Sequence, residues 1–143
     1  NHISAPSFAE NLGLRVTESH LPDPTEFTEL VEVVTGSGDI EVSVAGSFFG
    51  AEPRIVKIKD RFVEANPSGN LLLLENTDVP GIVGAVGALL GEHNVNIANM
   101  SLSRNQVDDR ALTVLNLDSA PEPALLKKLE ALEGIHEARA ISL

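Results

Sequence analysis

The sequence predicts an α+β protein in two units: helix with antiparallel strands over residues 1–67, then a ferredoxin-like βαββαβ sandwich over residues 68–143. Three observations carry this. After residue 70 the apolar pattern changes period in the order strand, helix, strand, strand, helix, strand, as helices on one face of an antiparallel sheet require. Asn66-Pro-Ser-Gly69 interrupts both periodicities, which marks a boundary. All five phenylalanines lie before residue 63, so the second half must pack with aliphatic side chains alone.

In the first unit, Ala5 to Gly13 reads as a short helix stopped by Gly13, and Leu14 to Glu18 as a strand. Leu21-Pro-Asp-Pro24 reads as a loop. Phe27 to Thr35 and Ile40 to Ala45 alternate around Gly36-Ser-Gly-Asp39, a hairpin pattern. Arg54 to Lys59 and Arg61 to Ala65 form a second pair around Asp60.

In the second unit, Leu71-Leu72-Leu73-Leu74 is the apolar run of a buried strand. Residues 80–92 follow as a helix, with Thr77 or Asp78 as cap and Pro80 in its first turn. Val95 to Ser103 alternates with one irregular step, Asn105 to Asp109 is a polar turn, and Ala111 to Leu117 returns as a strand. Ser119-Ala-Pro-Glu122 has capping-box spacing. It opens a helix with Leu125, Leu129 and Leu132 on one stripe and Gly134 as its stop, and Ile135 to Leu143 closes the sheet.

The net charge of −11 divides evenly. Residues 1–69 hold 11 acids and 5 bases, and residues 70–143 hold 10 and 5. Acidity in both halves argues against nucleic acid or an anionic membrane as partner. Zero cysteines exclude disulfides and thiolate chemistry and fit a reducing cytoplasm. No apolar run approaches the roughly 20 residues of a membrane span. Opening at Asn1 without Met is expected of a piece of a longer chain or of a processed product.

No catalytic residue is expected. The four histidines (2, 20, 93 and 136) lack metal-ligand spacing, and no nucleophile elbow, dinucleotide fingerprint or P-loop is present. Binding chemistry is better represented. Pro80-Gly81 puts bare backbone at a helix start, where the amides of Gly81 and Ile82 can receive a carboxylate. Asp78 can accept an ammonium group. Asn76 and Asn96 add amide groups if the first two strands run toward the same loop. Together these describe a pocket for a zwitterion. The competing reading makes Asp78 an N-cap and the asparagines turn residues.

Gly84, Gly87 and Gly91 with Ala88 share one side of the helix, which serves close packing within the protomer or at a subunit interface. Arg54, Lys57, Lys59 and Arg61 cluster in an acidic half, with Lys57 and Lys59 on one strand face and Arg54 on the other. They form either a phosphate or carboxylate site or a solvated edge strand protected by lysine.

The run Asn76-x-Asp78-x-Pro-Gly-Ile-Val-Gly-x-Val-Gly-x-Leu-Leu-Gly, then Asn94-Val-Asn96-Ile-Ala-x-Met100 and Arg104, closely resembles an ACT regulatory domain. The version it resembles stands at the C-terminus of D-3-phosphoglycerate dehydrogenases. Upstream, Asn1-His-Ile-Ser-Ala-Pro6, Val44-Ala-Gly-Ser47 and Glu52-Pro-Arg54-Ile-Val-x-Ile58 resemble the allosteric substrate-binding, or intervening, domain of the long form. The resemblance implies a regulatory fragment without NAD-binding or catalytic domains, so no cofactor is expected here and NAD in the parent enzyme. It implies feedback inhibition by L-serine bound between ACT domains of two subunits. By position, Asp78 would hold the ammonium and Asn96 would contact the carboxylate or hydroxyl. Asn76 and Val79 would line the pocket, and the Gly81 and Ile82 amides would help with the carboxylate. ACT sheets joining edge to edge would pair the first helices of a homo-oligomer. The intervening domain would bind phosphate or phosphorylated substrate, with Arg54 at a matching position. Two other readings are the regulatory subunit of an iron–sulfur L-serine dehydratase and an oligomerisation scaffold with an empty pocket.

Overall fold

The computed structural model describes residues 5–20, 27, 29–37, 40–105 and 108–143. Helix α1 (Ala5–Asn11) precedes strands β1 (Val31–Ser37), β2 (Ile40–Phe49), β3 (Glu52–Ile58) and β4 (Arg61–Ala65), which form one antiparallel sheet in that order. A second sheet comprises β5 (Asn70–Thr77), β6 (Ile97–Arg104), β7 (Arg110–Leu117) and β8 (Ile135–Ser142), with helices α2 (Ile82–Glu92) and α3 (Pro123–Glu130) in the two crossovers. Its strand order is β6-β7-β5-β8. Both β5 and β6 run antiparallel to β7, so they are parallel to each other and end at the same side of the sheet.

Alternation along β5 and β7 supplies two cores. Leu72, Leu74, Leu115 and Leu117 face the helices and pack with Ile82, Val86, Leu90, Leu125 and Leu129. The opposite face presents Leu71, Leu112 and Val114, which pack with Ile58, Val63 and Ala65 of the first sheet. A fully buried leucine contributes about 1.5–3 kcal/mol, so both interfaces stabilise substantially. Strand β7 is covered on both sides, which explains its unbroken burial from Ala111 to Leu117. Polar ties reinforce the junction. The Asn116 amide accepts from the Asn66 N–H and donates to the Asn66 carbonyl, each at 3.0 Å. The Glu64 N–H donates to Ser101 Oγ at 3.0 Å, and Asn99 Nδ2 donates to the Glu64 carbonyl at 3.0 Å.

The βαββαβ order and the irregular step in the second of these strands, a bulge between Ile97 and Asn99, match expectation. Helix α1 also stops as expected, with Gly13 at φ 72°. Other details differ. Residues 14–20 form no strand: Leu14 and Val16 stay exposed, and no strand among the described residues pairs with them. Strand β1 begins at Val31 rather than Phe27, and the expected loop at 21–24 lies outside the described residues. Helix α3 is not opened by a Ser119 capping box. Glu122 stands at the N-cap with extended backbone (ψ 152°), because the following Pro123 excludes helical geometry there, and its side chain makes no capping bond.

Candidate effector-binding site

The site is built where β5 hands over to α2. The Thr77 N–H donates to the Gly134 carbonyl and the Asp78 N–H to the Asp109 carbonyl, both at 2.7 Å, so the loop is pinned from two directions. The chain then turns at Gly81 (φ 97°, ψ −24°), a left-handed conformation that favours glycine. Gly81, not Thr77 or Asp78, is the N-cap, and no side chain caps the helix. The expected Asp78 cap is thus corrected, and the first-turn amides have no side-chain acceptor. Gly134 is favoured by its backbone, at φ 88°, and an added β-carbon would also stand 2.8 Å from Ile82 Cδ1 at the start of α2.

Strand register sets the floor. Arg104, Ala111 and Asn76 lie opposite one another across β6, β7 and β5. Asn76 is 1% exposed. Its Oδ1 accepts from Thr113 Oγ1 and its Nδ2 donates to the Thr77 carbonyl, both at 2.9 Å. The small Ala111 side chain leaves room for Arg104 to cross toward the loop, where Nε meets Asp78 Oδ2 at 3.0 Å. The resulting cavity of about 300 Å³ has Asn76, Asp78, Val79, Gly81 and Ile82 in its lining, with Val83, Leu102 and Arg104. One carboxylate, one guanidinium and an uncapped helix start converge on a space the size of a small polar molecule.

Five of the six residues expected in the effector pocket therefore come together. Asn96 does not. Because β5 and β6 are parallel, it lies at the far end of β6, where Nδ2 donates to Asp118 Oδ2 at 2.8 Å. Eight residue steps along β6 separate it from Arg104, a span of about 26 Å. Arg104 and Leu102 were missed as site residues. Their signal is topological: the end of β6 reaches this pocket only once the strand order is known.

The four clustered basic residues, Arg54, Lys57, Lys59 and Arg61, do not converge. Arg54 lies between Glu52 (3.8 Å) and Glu64 (3.9 Å), and Arg61 lies 3.6 Å from Asp60. Lys57 stands over the Phe62 ring at 6.0 Å. Lys59 is not on Lys57's strand face. It occupies the β3–β4 turn with φ 53° and reaches Glu75 of the second sheet at 3.8 Å.

The small-residue side of α2 is solvent-facing, not a core contact: an added β-carbon at Gly84, Gly87 or Gly91 meets nothing within 4 Å. On the opposite flank His93, one turn after Leu89, lies with Nε2 2.9 Å from Lys128 Nζ of α3, and α3 packs on β8. The glycine flank is open, and Val79, Val83 and, on the edge strand β6, Met100 are also exposed. Among the described residues no group of three or more His, Asp or Glu is placed to hold a metal ion, and no helix is long and apolar enough to cross a membrane.

The ACT domain model matches residues 70–134. The whole chain is similar to D-3-phosphoglycerate dehydrogenases: 34% identical over 145 residues to that of Archaeoglobus fulgidus, 26% over 143 residues to that of Methanocaldococcus jannaschii, and 29% over 144 residues to that of Synechocystis. All of this chain is covered in each case, against 28%, 27% and 26% of the relatives, so it spans about a quarter of their length. Residues 70–134 are thus an ACT domain, and the chain is similar along its full length to the C-terminal regulatory region of D-3-phosphoglycerate dehydrogenases.

Proposed function

We propose that this chain is the effector-sensing part of a D-3-phosphoglycerate dehydrogenase and binds L-serine, the product of the serine pathway, in the Asn76–Arg104 pocket. The observation that carries the reading is Asp78 facing a cavity whose other wall is an uncapped helix start. An α-amino acid fits that polarity. Its ammonium meets Asp78, and its carboxylate meets the first amides of α2. Asn76 is held by two internal hydrogen bonds and keeps one donor and one lone pair for the ligand hydroxyl. The NAD-binding and catalytic work belongs to the remainder of such an enzyme. Serine restrains it by stabilising one arrangement of subunits through differential affinity.

Assembly completes the site in this reading. β6 is an edge strand, the small-residue helix flank is open, and Val79, Val83 and Met100 are exposed, surfaces suited to a second copy. Antiparallel pairing of two β6 strands about a two-fold axis between Met100 and Ser101 sets Asn96 opposite the partner's Asn105. The partner's Asn96 then arrives beside Arg104 and the pocket. A phosphate or phosphorylated-substrate site among Arg54, Lys57, Lys59 and Arg61 would require the carboxylate partners of Arg54, Lys59 and Arg61 to be displaced, so it forms no part of the proposal.

Titration calorimetry of the chain with L-serine tests the reading. Binding is expected, and Asp78→Ala is expected to weaken it about 10- to 100-fold, the range of a charged hydrogen bond. A well-folded dimer that takes up no serine overturns it and leaves an oligomerisation scaffold.

A further inference from the structure

We infer that Arg104 is the specificity-determining residue of this pocket: it holds Asp78 in the empty site, yields it to the ligand's ammonium and takes the ligand's carboxylate. The inference rests on the serine-pocket reading above and adds the ligand class that the pocket selects, which is a zwitterion.

The geometry is particular. Arg104 sits on β6, two strands away from β5, and its side chain crosses above Ala111 in the row that ends at Asn76. Its Nε meets Asp78 Oδ2 at 3.0 Å. The guanidinium therefore occupies the carboxylate that an incoming ammonium needs, over the Asn76 floor. An amine without a carboxylate must break the Asp78–Arg104 pair and leave the guanidinium without its counter-charge. An acid without an ammonium must compete with Asp78 for Arg104. A zwitterion replaces one ion pair by two, its ammonium on Asp78 and its carboxylate shared between Arg104 and the first amides of α2, which line the same cavity, and leaves neither charge alone. The planar fork of arginine suits two-oxygen recognition, which lysine does not reproduce. The Asp78 side chain is 31% exposed and the Arg104 side chain 73%, so the pair can open without disturbing the core.

Calorimetry of wild type, Arg104→Gln and Arg104→Lys with L-serine and L-serinamide tests this, with circular dichroism confirming the fold. The amide keeps the ammonium and hydroxyl and lacks the carboxylate. Wild type is expected to prefer L-serine at least about tenfold, equivalent to about 1.4 kcal/mol. Arg104→Gln should lose that preference and bind L-serinamide at least as tightly as wild type, because the internal competitor for Asp78 has gone. Arg104→Lys should recover part of the preference. A merely structural arginine would weaken both ligands equally. If Arg104→Gln keeps the wild-type ratio of the two ligands, Arg104 does not set specificity while the serine reading stands. If wild type binds neither, the serine reading itself fails.

Discussion

Asn76 is a buried amide placed by strand register, and its two bonds do separate work. Accepting from Thr113 ties β5 to β7 in the helix-facing layer, and donating to the Thr77 carbonyl shapes the last step before the loop. Asn76→Ala removes the acceptor of a buried hydroxyl, and we expect a loss of about 1–3 kcal/mol in unfolding free energy. Urea denaturation checks this as a lowered midpoint at unchanged slope; an unchanged midpoint would assign Asn76 to ligand contact alone. Residues of the β5–α2 loop were legible in the sequence because they lie within seven positions of one another and carry distinctive types. Arg104 was not read as a site residue, since its approach to Asp78 depends on β6 running parallel to β5. Within one protomer Asn96 lies at the other end of the sheet from this loop, because neighbourhood in a motif does not tell which end of a strand a residue occupies.

Helix α2 resolves the puzzle of its glycines at the scale of an element. Each glycine in a helix interior costs about 0.5–1 kcal/mol against alanine, and packing inside the protomer does not offset this, because the glycine flank is open. Gly87→Ala should therefore stabilise the isolated protomer by about that amount while weakening self-association. Thermal denaturation at low protein concentration reads the first effect, and sedimentation equilibrium the second. A variant whose association is unchanged would show that the flank is not an interface. Helix and strand existence was legible wherever periodicity and burial agree, as in β5, β7 and α3. Starts were less so. Capping signals at Thr77, Asp78 and Ser119 lost to Gly81 and to the proline at 123, whose backbone requirements fix the first turn irrespective of nearby hydroxyls and acids. The expected strand at 14–18 has alternating character, but it pairs with no strand among the described residues.

At the scale of the molecule, β5 and β7 are covered on both faces, by the helices and by the first sheet, while β6 and β8 stand as the two edges of the second sheet. The change at Asn66–Gly69 was visible in sequence as a break in periodicity. The shared core of Ile58, Val63, Ala65, Leu71, Leu112 and Val114 was not, since no local pattern tells one buried face from another. Parallel β5 and β6 put Asp78 and Asn96 at opposite ends of one protomer. In the two-fold arrangement proposed above, each binding centre borrows its asparagine from the other chain, so two disabled variants can complement each other. Asp78→Ala and Asn96→Ala chains, each deaf to serine alone, should regain roughly a quarter of the sites when unfolded and refolded together in equal amounts, because half of randomly assorted pairs are mixed and each mixed pair holds one whole site. A blend no more responsive than its ingredients would mean that every chain listens for itself.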